Sequence, residues 1–188
     1  MRAVSLFIPT CSDSVLIVVD LQPSFLKAIH EAERVVQRSE FLARVASLLE
    51  VPVWGTVQNV ERMGGMDPSI DALLTDPADP KMAFSCMGCL PFASRLEASG
   101  RQQMILVGIE THICVSQTAH HLLDQGFEVA VCADAVGARS LDRHEIGLSR
   151  IREAGAAVVH TESIAYEWMH SAEHPKFREA LEVVKAFS

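Results

Sequence analysis

Long apolar runs are missing from this chain: no stretch approaches the roughly 18–20 residues that a membrane span requires, so nothing in it reads as a transmembrane helix. Basic residues are in short supply too. Against 24 acidic side chains stand 16 lysines and arginines, a formal net charge of −8. That balance argues against nucleic acid or an anionic membrane as partner, since both need clustered Lys and Arg. A disulfide framework is also lacking. Cys11, Cys86, Cys89, Cys114 and Cys132 are odd in number, and their spacing is unlike that of a secreted mini-domain. A reducing cytoplasm is the natural setting, where each thiol is either buried filler or chemistry. Residues 1–14 carry no signal-peptide core, because Pro9 breaks their apolar stretch and Asp13 follows; they read as a lead-in to the first strand. No internal repeat, low-complexity tract or long linker is visible.

What the chain does have is 188 residues, 49% of them hydrophobic and 21% charged, enough for one folded domain over 1–188. Short apolar runs alternate with helical patterns. Residues 15–20, VLIVVD, form a nearly continuous β-branched run, as in a strand buried on both faces. Over 33–50, Val35, Val36, Leu42, Val45, Leu48 and Leu49 recur at helical spacing. Further strands are predicted at 51–58, 82–84, 103–108, 128–133 and 156–161, and further helices near 71–74 and over 91–99, 111–125, 142–154 and 175–187. Strand alternating with helix implies βα units and a parallel sheet with helices on both faces. The expected fold is therefore α/β: three α/β/α layers, Rossmann-like, around a central, mainly parallel six-stranded sheet. In such sheets ligands bind beyond the carboxyl ends of the strands, so functional residues should follow strands.

Three residues satisfy that rule. Asp20 closes the first strand, where partial burial raises a carboxylate's proton affinity and suits it to base duty; capping the next helix explains it equally well. Cys114 lies in GIETHICV, just after the fourth strand and in the first turn of a helix, where free N–H groups favour a thiolate and can hold an oxyanion. A small buried apolar residue is the alternative. Lys81 ends the Pro/Asp-rich DPADPK and precedes apolar MAFS, so its ammonium must find a polar place; that place is either the strand-end crevice or solvent.

Together these segments resemble the isochorismatase-like cysteine hydrolases, which include nicotinamidase-type amidases. The resemblance runs through LIVVDLQPSF (16–25), PVWGTVQN (52–59), KMAFSC (81–86), VGIETHICVSQTAHHLLDQGFEVAVCADAVGAR (107–139) and AGAAVVHTES (154–163), and the closing residues look like the small isochorismatase-domain-containing branch. It implies the isochorismatase-like hydrolase fold and a catalytic triad of Asp20, Lys81 and Cys114. It also implies a cis peptide between Ile109 and Glu110, with the backbone N–H groups of Glu110 and Cys114 as the oxyanion hole. The implied activity is hydrolysis of a small amide-type C–N bond through a thioester. Metal-dependent relatives carry Asp-x-His after the second strand; here the place reads VQNVERMGG, with Gln58 and no histidine, so neither a metal nor another cofactor is expected. Phe25 and Gln58 fall where substrate would be touched. A small-molecule substrate and a homo-oligomer complete the expectation.

Competing constellations are weaker. Cys86-x-x-Cys89 has dithiol spacing but sits among Phe84, Met87, Leu90 and Phe92 and lacks a second pair. His120 and His121 are adjacent and diverge on a helix, His112 is near the pocket without an assigned role, and Asp134 reads as a turn cap. The alternative to a thiol hydrolase is a redox-responsive or catalytically weak relative with an assembly role, which would place thiol reactivity on Cys86 and Cys89 rather than on Cys114.

Overall fold

Six short runs, most of them rich in small and β-branched apolar residues, pair into one parallel sheet in the computed structural model of the chain, which describes residues 8–187. The strands are β1 (Ser14–Val19), β2 (Val53–Gln58), β3 (Asp79–Lys81), β4 (Gln103–Ile109), β5 (Glu128–Gly137) and β6 (Ala157–Val159). Around them run α1 (Pro23–Leu26), α2 (Ala32–Leu48), α3 (Val60–Met63), α4 (Pro68–Asp71), α5 (Leu90–Ser99), α6 (Ser116–Asp124), α7 (Leu141–Glu153), α8 (Thr161–Met169) and α9 (Phe177–Ala186). The sheet order is β3-β2-β1-β4-β5-β6, with every pairing parallel.

Period-two alternation sorts the strand side chains between two cores. Leu16 and Val18 of β1, with Ile105 and Val107 of β4, face Phe41, Leu42, Trp168 and Val184 from α2, α8 and α9. Val15, Ile17 and Val19, with Met104 and Leu106, face Phe92, Leu96, Leu122 and Ile151 from α5, α6 and α7. Burying each such side chain on folding contributes on the order of 1.5–3 kcal/mol, and the two layers leave β1 and β4 wholly enclosed.

Some elements depart from the sequence-based expectation. The third strand is Asp79–Lys81 rather than 82–84, because Thr56, Val57 and Gln58 pair with Asp79, Pro80 and Lys81. Pro80 lacks an N–H but sits at the sheet edge, where that costs no interior ladder bond. The apolar residues that suggested a strand are outside it: Met82 is 72% exposed and Phe84 53%. The short helix expected near 71–74 lies at Pro68–Asp71, where the Asp67 carboxylate accepts from the Ser69 N–H. Helix α8 was not anticipated; the His160 ring caps it by accepting from Glu162 N–H. Asp134, expected as a turn cap, accepts from Thr161 and Arg38 and so ties β5 to α8 and α2. The reading of the first residues as a lead-in concerns, for residues 1–7, a part of the chain outside the described residues.

The chain leaves β1 toward β2 on one side and returns at β4 on the other, so the strand order reverses at β1. Gly108 makes the closeness of β1 and β4 possible there. Its φ is +114°, and a Cβ would stand 2.1 Å from the Val19 carbonyl oxygen. No L side chain fits.

Gly108→Ala should therefore destabilise by more than about 4 kcal/mol or prevent folding. Gly126→Ala, also at positive φ but with nothing within 4 Å of a Cβ, should cost only about 1–2 kcal/mol. Guanidinium unfolding of the two variants checks the contrast, and equal losses would contradict it.

Candidate active site

Three strand ends deliver the polar groups. The chain turns sharply one residue beyond β1, where Asp20 takes a left-handed backbone (φ 52°). Such a conformation is costly for a non-glycine residue and persists only where its surroundings hold it. Here the Asp20 N–H donates to Thr56 O at 3.1 Å, and the Gln22 N–H donates to Asp20 O at 2.7 Å. Gln22 then pins the exit loop to β2: its Oε1 accepts from Gln58 N–H (2.7 Å), and its Nε2 donates to the Gln58 and Gly64 carbonyls.

Asp20 is thereby held at 2% exposure. Its Oδ2 accepts from Lys81 Nζ at 2.6 Å and its Oδ1 from Thr56 Oγ1 at 2.9 Å. Lys81, the last residue of β3, has a side chain with no exposed surface. Its ammonium also donates to Gln58 Oε1 (2.8 Å), Phe84 O (3.0 Å) and Ala83 O (3.2 Å). Four acceptors thus surround a group with three N–H donors. A buried cation can persist in such a cage because each of its protons has a partner.

The third group arrives from β4. Thr111–Val115 form a π-helical turn that leads into α6 and holds Cys114, a widened turn of a kind that is frequent at functional sites. The Cys114 thiol shares the cavity lining with the Asp20 carboxylate and is coupled to it electrostatically. Burial lifts the Asp20 carboxyl above the usual carboxylate range, although Lys81, Thr56 and Cys114 all pull it down. Burial and the Asp20 charge together push the Cys114 thiol up to about 12, while Lys81 pulls the other way. Both burial and the neighbouring charge thus disfavour the thiolate at this position. The sequence suggested a helix-start thiolate; burial and the neighbouring carboxylate work against the helix terminus here.

Cys114 and Asp20 open onto a cavity of about 90 Å³. Phe25, Phe84, Ile109 and Ile113 form its apolar walls, and Gln58 and Glu110 supply its other polar surface. Phe25 and Gln58 thus stand at the cavity that the sequence associated with substrate. The Ile109–Glu110 peptide is cis. At the rim, Arg139 Nε donates to Glu110 Oε2 at 3.0 Å.

Thr56, Phe84 and Ile113 were not singled out from the sequence. Thr56 carried a signal, being the one hydroxyl in an apolar strand and the register partner of Val19. Phe84 and Ile113 carried none. His112 does not line the cavity, and its buried Nδ1 has no hydrogen-bond partner among the described residues.

Two further thiols lie close together in sequence and are enclosed. Cys86 and Cys89 are buried in the core on the α5–α6 face. The Cys86 sulfur is 3.4 Å from Thr56 Oγ1, and its thiol is pushed up to about 11, chiefly by burial. His120 and His121 diverge, to Ser116 O and Ser85 Oγ respectively. Among the described residues no three His, Cys, Asp or Glu side chains converge as a metal cage would require, and no helix is long and apolar enough to cross a membrane.

Comparison with known proteins adds a family. Residues 14–163 match the Isochorismatase domain family model. The chain is 33% identical over 175 residues to isochorismatase domain-containing protein 2 of Homo sapiens, covering 92% of this chain and 83% of that protein. It is 34% identical over 179 residues to the secreted isochorismatase effector Isc1 of Phytophthora sojae (strain P6497), covering 92% and 84%. It is similar to the solved structure of the MAR1 ribonuclease from Caenorhabditis elegans, with a TM-score of 0.90 at 31% identity over 95% of this chain and 93% of that one. The YcaC gene product of Escherichia coli, an octameric hydrolase of unknown specificity, has a TM-score of 0.83 at 21% identity over 96% and 97% of the two chains, a likeness of fold alone.

Because the Asp20 charge raises the Cys114 thiol pKa, Asp20→Asn should lower it. Iodoacetamide alkylation of the Cys114 peptide, followed by mass spectrometry across pH, should show the wild-type rate still climbing above pH 9. In the variant it should rise at lower pH, with about tenfold faster labelling at neutral pH for each unit the midpoint falls. A wild-type midpoint near the ordinary thiol value of roughly 8.5, unmoved in the variant, would contradict the assignment.

Proposed function

We propose that this chain, which belongs to the isochorismatase family, is a cysteine-dependent hydrolase of a small amide-type substrate, working through a thioester on Cys114. The observation that carries the reading is the buried Lys81–Asp20 ion pair, with Asp20 and Cys114 side by side in the lining of one cavity.

The neutral thiol defines the first step. As Sγ attacks the carbonyl carbon, its proton passes to Asp20, whose raised proton affinity fits it to accept. Lys81 holds the carboxylate in line, and its charge offsets the negative charge arriving on sulfur. The backbone N–H groups of Glu110 and Cys114 take the developing oxyanion. When the C–N bond breaks, Asp20 returns the proton to the leaving amine, and the acyl group stays on sulfur. Water then attacks the thioester carbonyl, passing a proton to Asp20, which restores it to the departing thiolate. Phe25 packs against the bound acyl group, and Gln58 holds Lys81.

The remaining expectations belong to the same proposal. No metal takes part, since Gln58 occupies the place of a ligating motif and spends its amide on Lys81 and Met82 O. Five free thiols suit the cytoplasm. Exposed Met82, Phe84 and Leu90 lie together in sequence beside the site, as a homo-oligomer contact would require. The Caenorhabditis elegans structure bears the name of a ribonuclease, but a nuclease reading here has no support from charge. The chain carries −8, and RNA binding calls for clustered cations. Nor do Cys86 and Cys89, enclosed in the core, recommend a redox role.

Cys114→Ala should reduce turnover of small amides by more than about 10³-fold while changing stability by less than about 1 kcal/mol, and wild-type protein should yield an acyl adduct on the Cys114 peptide by mass spectrometry. Retained turnover in the variant would overturn the proposal. Dialysis against a chelator should leave activity unchanged; activity lost to the chelator and restored by a divalent metal would show that the metal-free reading is wrong.

A further inference from the structure

We infer that the cavity selects acyl groups carrying no negative charge, an inference that deepens the hydrolase reading and rests on it. Its basis is how the charges around the cavity are already spent. The four apolar walls offer nothing to an anion. Gln58 has its carbonyl oxygen on Lys81 and its amide on Met82 O. Glu110 and Asp20, the two charged residues in the lining, are both negative.

Among the described residues no lysine or arginine lines the cavity. The cations nearby are committed elsewhere. Lys81 has no exposed side-chain surface and donates to four acceptors, all of them the protein's own. Arg139 stands at the rim with Nε on Glu110 Oε2. A carboxylate entering beside Cys114 would lose its water to apolar walls, and would compete for Lys81 and Arg139 with the two carboxylates, Asp20 and Glu110, that already hold them. Juxtaposed like charges are a strong discriminator between ligands. An uncharged aliphatic or aromatic acyl group meets no such penalty. By this criterion dicarboxylates, and polyanions with them, are poor substrates.

The comparison that isolates charge uses two activated esters with one leaving group and equal chain length, p-nitrophenyl butyrate and p-nitrophenyl hemisuccinate. Rates are taken as wild type minus Cys114→Ala, and acyl adducts on Cys114 are read by mass spectrometry. The expected kcat/KM favours the butyrate by at least about tenfold. In Glu110→Gln, which removes one lining charge and releases Arg139, that ratio should fall several-fold through faster hemisuccinate turnover. Cys114-dependent turnover of the hemisuccinate equal to or faster than that of the butyrate overturns the charge inference and leaves the hydrolase reading standing. A ratio that Glu110→Gln does not move overturns the assignment of the selectivity to lining charge. Absence of any Cys114-dependent acylation by either ester overturns the hydrolase reading and this inference with it.

Discussion

A lysine ammonium and an aspartate carboxylate 2.6 Å apart and shut away from water hold this site together. Removing two charges from solvent costs several kcal/mol per ion unless geometry and extra hydrogen bonds compensate. The compensation is visible: four acceptors on Lys81, and Lys81, Thr56 and Cys114 all on Asp20. Those partners come from three different strand ends and the turn after β4. The pair can therefore form only when β1, β2, β3 and β4 are in register, so the sheet order and the site are one constraint seen at two scales.

Sharing Asp20 between an ammonium and a thiol underlies the proposed chemistry. A cysteine at a helix start tends toward the thiolate, whereas here burial and the adjacent carboxylate both push the thiol pKa up. On the proposed mechanism the nucleophile is made at the moment of attack, by transfer of the thiol proton to Asp20. Lys81 holds one carboxylate oxygen and Thr56 the other. In that mechanism Lys81, Asp20 and Cys114 work as a proton path with an electrostatic anchor.

Much of this was legible in the residues. The β-branched run before Asp20 and the run before Cys114 place both at strand ends, and parallel-sheet logic puts strand ends at the ligand crevice. The edge was less legible. MAF at 82–84 looks like a strand, whereas the paired residues are polar Asp79, Pro80 and Lys81, whose strand character comes from the ladder to β2 rather than from propensity. Helix α8 was hidden because its cap is a histidine and its start lies against a strand of three residues. The protonation state of Cys114 could not be read from sequence at all, since it depends on the contact distance between side chains 94 positions apart. For the same reason the roles of Thr56, Phe84 and Ile113 emerge only from coordinates.

The claim on which the account turns is that the resting sulfur of Cys114 carries its proton and gives it to Asp20. Infrared difference spectroscopy of wild type against Cys114→Ala at neutral pH observes that proton through the S–H stretch. The account predicts an S–H band in the difference spectrum, shifted to lower frequency by the hydrogen bond to a carboxylate and moving back up when Asp20 is replaced by alanine. A difference spectrum without an S–H band at neutral pH, the mark of a resting thiolate, would contradict it.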